Sequence, residues 1–149
     1  MVNTVRLQSE LEFITRNKAH HQQSEWFREF PDNACQTSGC LAGWTAIHHA
    51  KDELVIQEAQ VPFKGEYVKV LYYDPIDGRD WIDLGADLLG LTWDQAETLF
   101  EGNNSLWDLW NLASIITRGE ITIPEEVEAM RNEEYNVTED EDYDWLLEN

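Results

Sequence analysis

The chain has 149 residues, of which 42% are hydrophobic and seven are Trp, so its length and composition predict a folded domain with a sizeable core. Thirty acidic residues against ten basic ones give a formal net charge of −20. A field of this sign repels nucleic acid phosphates and anionic membranes and attracts basic protein surfaces. The charge therefore argues against direct binding to nucleic acid or membrane.

The sequence also bears on location. No stretch approaches the roughly 18 consecutive apolar residues of a membrane span. The start, MVNTVRLQSELEF, lacks the basic-then-apolar order of a secretory signal. We therefore expect a cytoplasmic protein whose Cys35 and Cys40 are reduced.

The acidity increases along the chain. Residues 1–60 carry eight acids and five bases, and residues 61–119 carry ten acids and four bases. Residues 120–149 carry twelve acids, with Arg131 as the only base. The C-terminal part is thus where a basic partner would be attracted most strongly.

The first half of the chain predicts two helices and a hairpin. Leu7, Leu11 and Ile14 share one face of a helix over 4–19. A second helix over about 37–50 contains Gly43, whose cost in a helix suggests close packing against another element. Partial alternation of Val, Ile, Tyr and Phe over 53–73 predicts two short strands in a small antiparallel hairpin.

The second half predicts helices from their capping residues. Asp80 and Ser105 are placed to cap two of them, and Thr92 with Gln95 forms a capping box for the helix between. Pro124 is expected at the first position of a final acidic helix over 124–135.

The fold class that we expect is mainly α (α+β). It is a compact helical domain of about five helices with a small β-hairpin inserted near residues 53–73. Residues 1–135 are predicted to form this single domain, and residues 136–149 an acidic C-terminal tail.

The stretch CQTSGCLAGWTAIHH holds both cysteines and leaves several interpretations open. Cys35 and Cys40 match zinc-ligand spacing poorly, and His48 and His49 form an adjacent doublet unsuited to a helix-borne metal site, so no metal is expected. Cys40 near a helix N-terminus could be an activated nucleophile with a histidine base. A buried, packing Cys40 is the simpler interpretation. A disulfide would require an oxidising compartment.

Two other stretches are ambiguous. DPIDGRDWID does not fit the register of a calcium loop, so its aspartates are predicted to serve turns and caps. LLGLTWDQAETLF looks like a helix-turn-helix, but residues 81–117 contain no Lys or Arg for phosphates. We interpret it as a pair of packed helices.

Two motifs together carry a resemblance. C-x-T-x-x-C-L-A-G-W at 35–44 and A-x-L-L-G-L-T-x-x-Q-A-x-x-L-F at 86–100 are similar to a group of small, mostly helical proteins of phages and some bacteria. Gln36 and Thr45 replace a glycine and an alanine usual in that group. The resemblance covers about half of the chain. It implies a helical core and a phage-type origin, hence the cytoplasm of a host cell, but no catalytic residues.

The function predicted is that of a small acidic accessory protein, not an enzyme, which needs no cofactor. It would bind a basic surface of a host protein, as an inhibitor that mimics nucleic acid if that surface normally holds DNA or RNA. A competing interpretation is that the acidity only keeps the protein soluble. The alternative is a cysteine-dependent enzyme or a thiol or metal site built on Cys35, Cys40 and His48 or His49. The residues predicted to contact the partner are Glu125, Glu126, Glu128, Glu133, Glu134, Glu139, Asp140, Glu141, Asp142, Asp144, Trp145 and Leu146.

Overall fold

The computed structural model describes residues 1–31 and 37–147, which form six α-helices and one four-stranded antiparallel sheet. The helices are α1 (Thr4–Arg16), α2 (Leu41–His49), α3 (Trp81–Leu89), α4 (Trp93–Leu99), α5 (Leu106–Ile116) and α6 (Glu125–Glu128). The strands are β1 (Phe27–Glu29), β2 (Ser38–Gly39), β3 (Leu54–Phe63) and β4 (Glu66–Pro75).

The predicted fold class is wrong in its β component. The chain folds as α+β, because the hairpin of β3 and β4 is joined by β1 and β2 into a sheet of order β2-β1-β4-β3. Strands β1 and β2, which have three and two residues, were not predicted from the sequence. Strands this short show no alternation of their own, and their conformation depends on pairing, of β1 with β4 and of β2 with β1.

The hairpin itself is longer than expected. β3 and β4 pair in one continuous register from Leu54 opposite Pro75 to Phe63 opposite Glu66. Lys64 and Gly65 form the two-residue turn, with φ values of 50° and 81°. Two successive positive φ angles are those of a type I′ turn, which matches the right-handed twist of the strands.

The predicted caps of the helices are confirmed. Asp80, Thr92 and Ser105 each accept a backbone hydrogen bond at the start of their helices, and the capping box of Thr92 and Gln95 is complete. Gly90 ends α3 in the left-handed region at φ 68°. These features are specified within a few residues of sequence, which is why they could be predicted.

Three helix boundaries differ from the prediction. Helix α1 ends at Arg16, and α2 begins at Leu41 after Cys40, whose sulfur caps the helix by accepting from Gly43 N–H. The final helix has one turn, Glu125–Glu128, with Pro124 as the N-cap residue. Like-charged side chains crowd that segment, so little beyond its first turn favours a longer helix.

Two clusters of buried side chains form the core. The larger one lies among the helices, where Leu7 and Leu11 of α1 and Trp110 of α5 are fully buried. The smaller one lies between the sheet and α2–α3 and contains Tyr73 and Trp81. Trp110 Nε1 donates to Thr15 Oγ1 at 2.9 Å, so the one polar atom of the largest buried side chain is satisfied.

Close packing at Gly43 is confirmed. A Cβ at this position would overlap the backbone carbonyl of Trp26. The same carbonyl oxygen accepts from Cys40 N–H at 3.2 Å. The segment before β1 therefore runs directly against the first turn of α2, which only a residue without a side chain permits.

Among the helices of residues 1–31 and 37–147, none is both long and apolar enough to cross a membrane.

Candidate interaction surface

The carboxylates that the sequence singles out are all at the surface. Trp145 is 49% exposed, whereas Leu146 is only 2% exposed. The exposed acids are Glu125, Glu126, Glu128, Glu133, Glu134, Glu139, Asp140, Glu141, Asp142 and Asp144. We call residues 125–147 the acidic segment. The prediction that Leu146 contacts a partner is wrong, because this side chain lies in the main core and anchors the segment instead.

Asp108 of α5 holds the middle of the acidic segment. This fully buried carboxylate accepts from the backbone N–H groups of Val137 and Thr138, each at 3.1 Å. The Thr138 hydroxyl donates to it at 2.6 Å, and Ser105 N–H at 2.8 Å. Four donors around one carboxylate provide the hydrogen bonding that a buried charge requires.

Two further hydrogen bonds hold the acidic segment, one before and one after the residues that contact Asp108. Asn136 accepts from the Ser105 hydroxyl at 2.6 Å. Near the end, Gln95 Nε2 donates to the backbone carbonyl of Leu146 at 2.9 Å. The backbone of the acidic segment is therefore attached to α4 and α5 at several points.

Arg131 is the only base in this segment and neutralises part of it. Its guanidinium lies 2.5 Å from Glu139 and 3.4 Å from Glu128, and it stands 4.8 Å from the ring centre of Trp107. The hydrogen bond to Glu139 is the main reason that the pKa of Arg131 is raised above its usual value. Within the described part of the chain, the other carboxylates of the segment have no basic side chain within 4.0 Å.

A groove of about 590 Å³ joins the acidic segment to the N-terminal half of the chain. Its lining includes Glu133, Glu134 and Tyr135 of the acidic segment and Lys18 and His21 of the N-terminal half. Burial lowers the pKa of His21, an effect that its hydrogen bond with Gln23 partly offsets. The imidazole is therefore neutral at pH 7, so His21 adds no positive charge to this groove.

Cys40 does not have the surroundings of a nucleophile. The thiol is fully buried, and burial raises its pKa to about 12, although backbone N–H groups oppose the shift. Its Sγ lies 3.4 Å from Gly43 N and 3.6 Å from the Trp26 carbonyl oxygen. The sulfur therefore serves as a helix cap and as packing. Cys35 lies outside the residues that the structure describes.

His48 and His49, the histidines of the predicted thiol or metal site, contact a carboxylate of α1. His48 Nδ1 lies 2.7 Å and His49 Nε2 3.1 Å from the carboxylate of Glu10, a buried residue of α1. Among the residues described, no group of three or more His, Cys, Asp and Glu is arranged to hold a metal ion. The two rings tie the end of α2 to α1.

Asp108 and Thr138, the residues that position the acidic segment, were not predicted from the sequence. Asp108 is the third residue of its helix, and its side chain also accepts from the N–H of the capping residue Ser105. The pattern Ser-x-x-Asp is a local signal for that capping box. Nothing local indicates the contact with Thr138, which is thirty residues away in the chain.

No family model, curated protein or solved structure gives a significant match to this chain. The similarity to small phage and bacterial proteins therefore remains a prediction from two motifs.

Proposed function

We propose that this protein binds a basic surface of another protein through its acidic segment. The observation that carries the proposal is the attachment of this segment by the buried Asp108. A free acidic tail would lose backbone conformational entropy on binding, whereas a segment whose backbone is already held in place loses less. An ordered acidic surface thus has more affinity per charge than a disordered tail.

The distribution of charge supports the same proposal. Eight carboxylates of the segment lack a basic neighbour among the described residues, and Arg131 pairs with the other two. Opposite charge on a partner would accelerate encounter and release counterions. Trp145, half exposed beside them, could insert an aromatic side chain at the interface.

The finer form of the proposal is mimicry of nucleic acid. If the basic surface normally holds DNA or RNA, carboxylates spaced like phosphates would compete for it, and the protein would act as an inhibitor. The partner would then be a host protein such as a nuclease or a polymerase subunit. The predicted phage-type origin suits such a role.

The test neutralises charge without removing chain, because truncation would also remove Leu146 and other core residues. The test variant carries Glu133→Gln, Glu134→Gln, Asp140→Asn and Glu141→Gln. The matched control carries Glu12→Gln, Asp52→Asn, Glu66→Gln and Glu97→Gln, which are exposed and lie outside the acidic segment. Both variants change the net charge equally.

Immobilised protein is used to capture partners from a bacterial lysate, and the affinity of each purified partner is then measured from 50 to 500 mM NaCl. We expect a basic, nucleic-acid-binding partner that duplex DNA displaces. The test variant should bind it about tenfold more weakly and the control less than twofold. Equal loss in both variants, or no capture at all, would contradict the proposal.

A further inference from the structure

Strand β3 is an edge strand over its whole length. It pairs with β4 on one side and is last in the strand order β2-β1-β4-β3 of the described residues. Val55 and Ile56 are 44% and 53% exposed on it. A ten-residue edge strand with exposed apolar side chains is a template for pairing with another strand.

The hairpin register shows which backbone groups face outward. Phe63 and Glu66 flank the two-residue turn and therefore exchange both of their hydrogen bonds. The other odd-numbered residues of β3 form hydrogen bonds with β4 in the same way. The even-numbered residues of β3 consequently direct their N–H and C=O groups away from β4. Pro62, which has no N–H, falls on the outward side, where a proline is tolerated.

Charge favours a second copy of this chain as the strand that pairs there. Two bodies of charge −20 repel each other, so they can meet only where the charge is weak. Residues 54–75 hold three acids and two bases. The only charged residue of β3, Glu58, has Lys69 Nζ at 3.6 Å. This hairpin thus offers an approach with almost no net charge, in contrast to the acidic segment.

We infer that two copies associate by antiparallel pairing of their β3 strands. Two copies related by a two-fold axis pair in antiparallel orientation. Residues whose N–H and C=O groups face outward must then lie opposite residues of the partner copy whose N–H and C=O groups also face outward. In the register that places Ala59 opposite Ala59, Val55 lies opposite Phe63 and Ile56 opposite Pro62. Glu58 lies opposite Gln60. The pairing forms about six hydrogen bonds between chains.

The neighbouring registers are less favourable. The next register that still pairs outward-facing residues places Glu58 directly opposite Glu58 of the partner copy. Like charges directly opposite each other destabilise the pairing. A shift in the other direction leaves Val55 and Ile56 outside the paired region. The Ala59 register is therefore the one that covers the exposed apolar residues without opposing like charges.

Disulfide formation tests the register. In a Cys35→Ser background, Ala59→Cys places two cysteines opposite each other at a non-hydrogen-bonded pair, with Cα atoms about 4.5 Å apart. The matched control is Gln57→Cys, on the same face, whose copies would lie about 13 Å apart. Cys40 is buried and does not interfere.

We expect mild oxidation at about 100 µM protein to give a covalent dimer with Ala59→Cys but not with Gln57→Cys. A mixture of Gln57→Cys and Val61→Cys chains should also cross-link, because these positions lie opposite each other. Equal cross-linking of the two homogeneous samples, or none in either, would overturn the inference.

Sedimentation of the unmodified chain provides the second measurement. We expect Ile56→Lys to weaken self-association at least tenfold, whereas Val5→Lys, at an 82% exposed position of α1, leaves it unchanged. Association should increase from 50 to 500 mM NaCl, since salt screens the mutual repulsion. Binding to a basic partner should instead weaken as salt is added. Failure of the dimer proposal can therefore be distinguished from failure of the proposed function. A monomer at 500 µM in high salt would overturn the dimer.

Discussion

Asp108 Oδ1 accepts two hydrogen bonds from Thr138, one from the backbone N–H at 3.1 Å and one from the hydroxyl at 2.6 Å. This contact joins α5 to the acidic segment within the core. Since each donor points at a charged oxygen, the carboxylate is required, and an isosteric amide cannot replace it.

Replacing Asp108 by Asn should lower the free energy of unfolding by about 2–4 kcal/mol, because an NH₂ group would then face backbone N–H groups. Urea unfolding followed by Trp fluorescence measures the loss. Asp83→Asn is the matched control, since Asp83 also lies third in its helix but is exposed. A change of less than 0.5 kcal/mol for both variants would refute the anchoring role.

The close approach at Gly43 predicts a strong effect of one added methyl group. Gly43→Ala should destabilise the fold by about 3 kcal/mol or more, since the new Cβ overlaps the Trp26 carbonyl. Without that contact, the same change in a helix would stabilise by about 1 kcal/mol. Ser9→Gly compared with Ser9→Ala, on the exposed face of α1, measures this intrinsic difference. A Gly43→Ala protein as stable as the parent would be incompatible with the packing described here.

The burial of Cys40 predicts an unreactive thiol. A pKa raised from 9.0 to about 12 lowers the thiolate fraction at pH 8 about a thousandfold. In a Cys35→Ser background, iodoacetamide should therefore leave native protein unlabelled for hours at pH 8. The same protein in 6 M guanidinium chloride should react at the rate of a free cysteine. Rapid labelling of the native state would restore the thiol-site hypothesis.

Two raised pKa values predict a loss of stability in alkali. Burial raises the pKa of Tyr73 to about 12, assisted by its hydrogen bond to Glu29, and burial of Cys40 has the same effect. As pH rises above about 9, these groups ionise in the unfolded state first, which stabilises that state. The free energy of unfolding should therefore decrease from about pH 9 to 12 and show no such dependence below pH 8.

Urea unfolding at pH 8, 9, 10 and 11 measures this slope. Cys40→Ala and Tyr73→Phe should each reduce it, and the double variant should reduce it most. Identical slopes in all four proteins would show that other groups cause the alkaline transition.

The sequence by itself determined the features whose causes lie within a few residues. The caps at Asp80, Thr92 and Ser105 and the hairpin over 53–73 were predicted because a hydrogen bond between neighbours or a repeating pattern specifies each one. The close packing at Gly43 was predicted for the same reason, since a glycine inside a helix is costly without a compensating contact.

Only the tertiary structure decided what depends on residues far apart in the chain. Strand β1 exists because it pairs with β4, and β2 exists because it pairs with β1, so no local pattern could indicate either strand. Leu146 is a core residue because α4 and α5 provide the surface that buries it, although its sequence neighbours are acidic. Likewise, the position of the acidic segment is fixed by Asp108 and Thr138. Burial and pairing of this kind are properties of the folded chain as a whole, whereas capping and periodicity are properties of short segments.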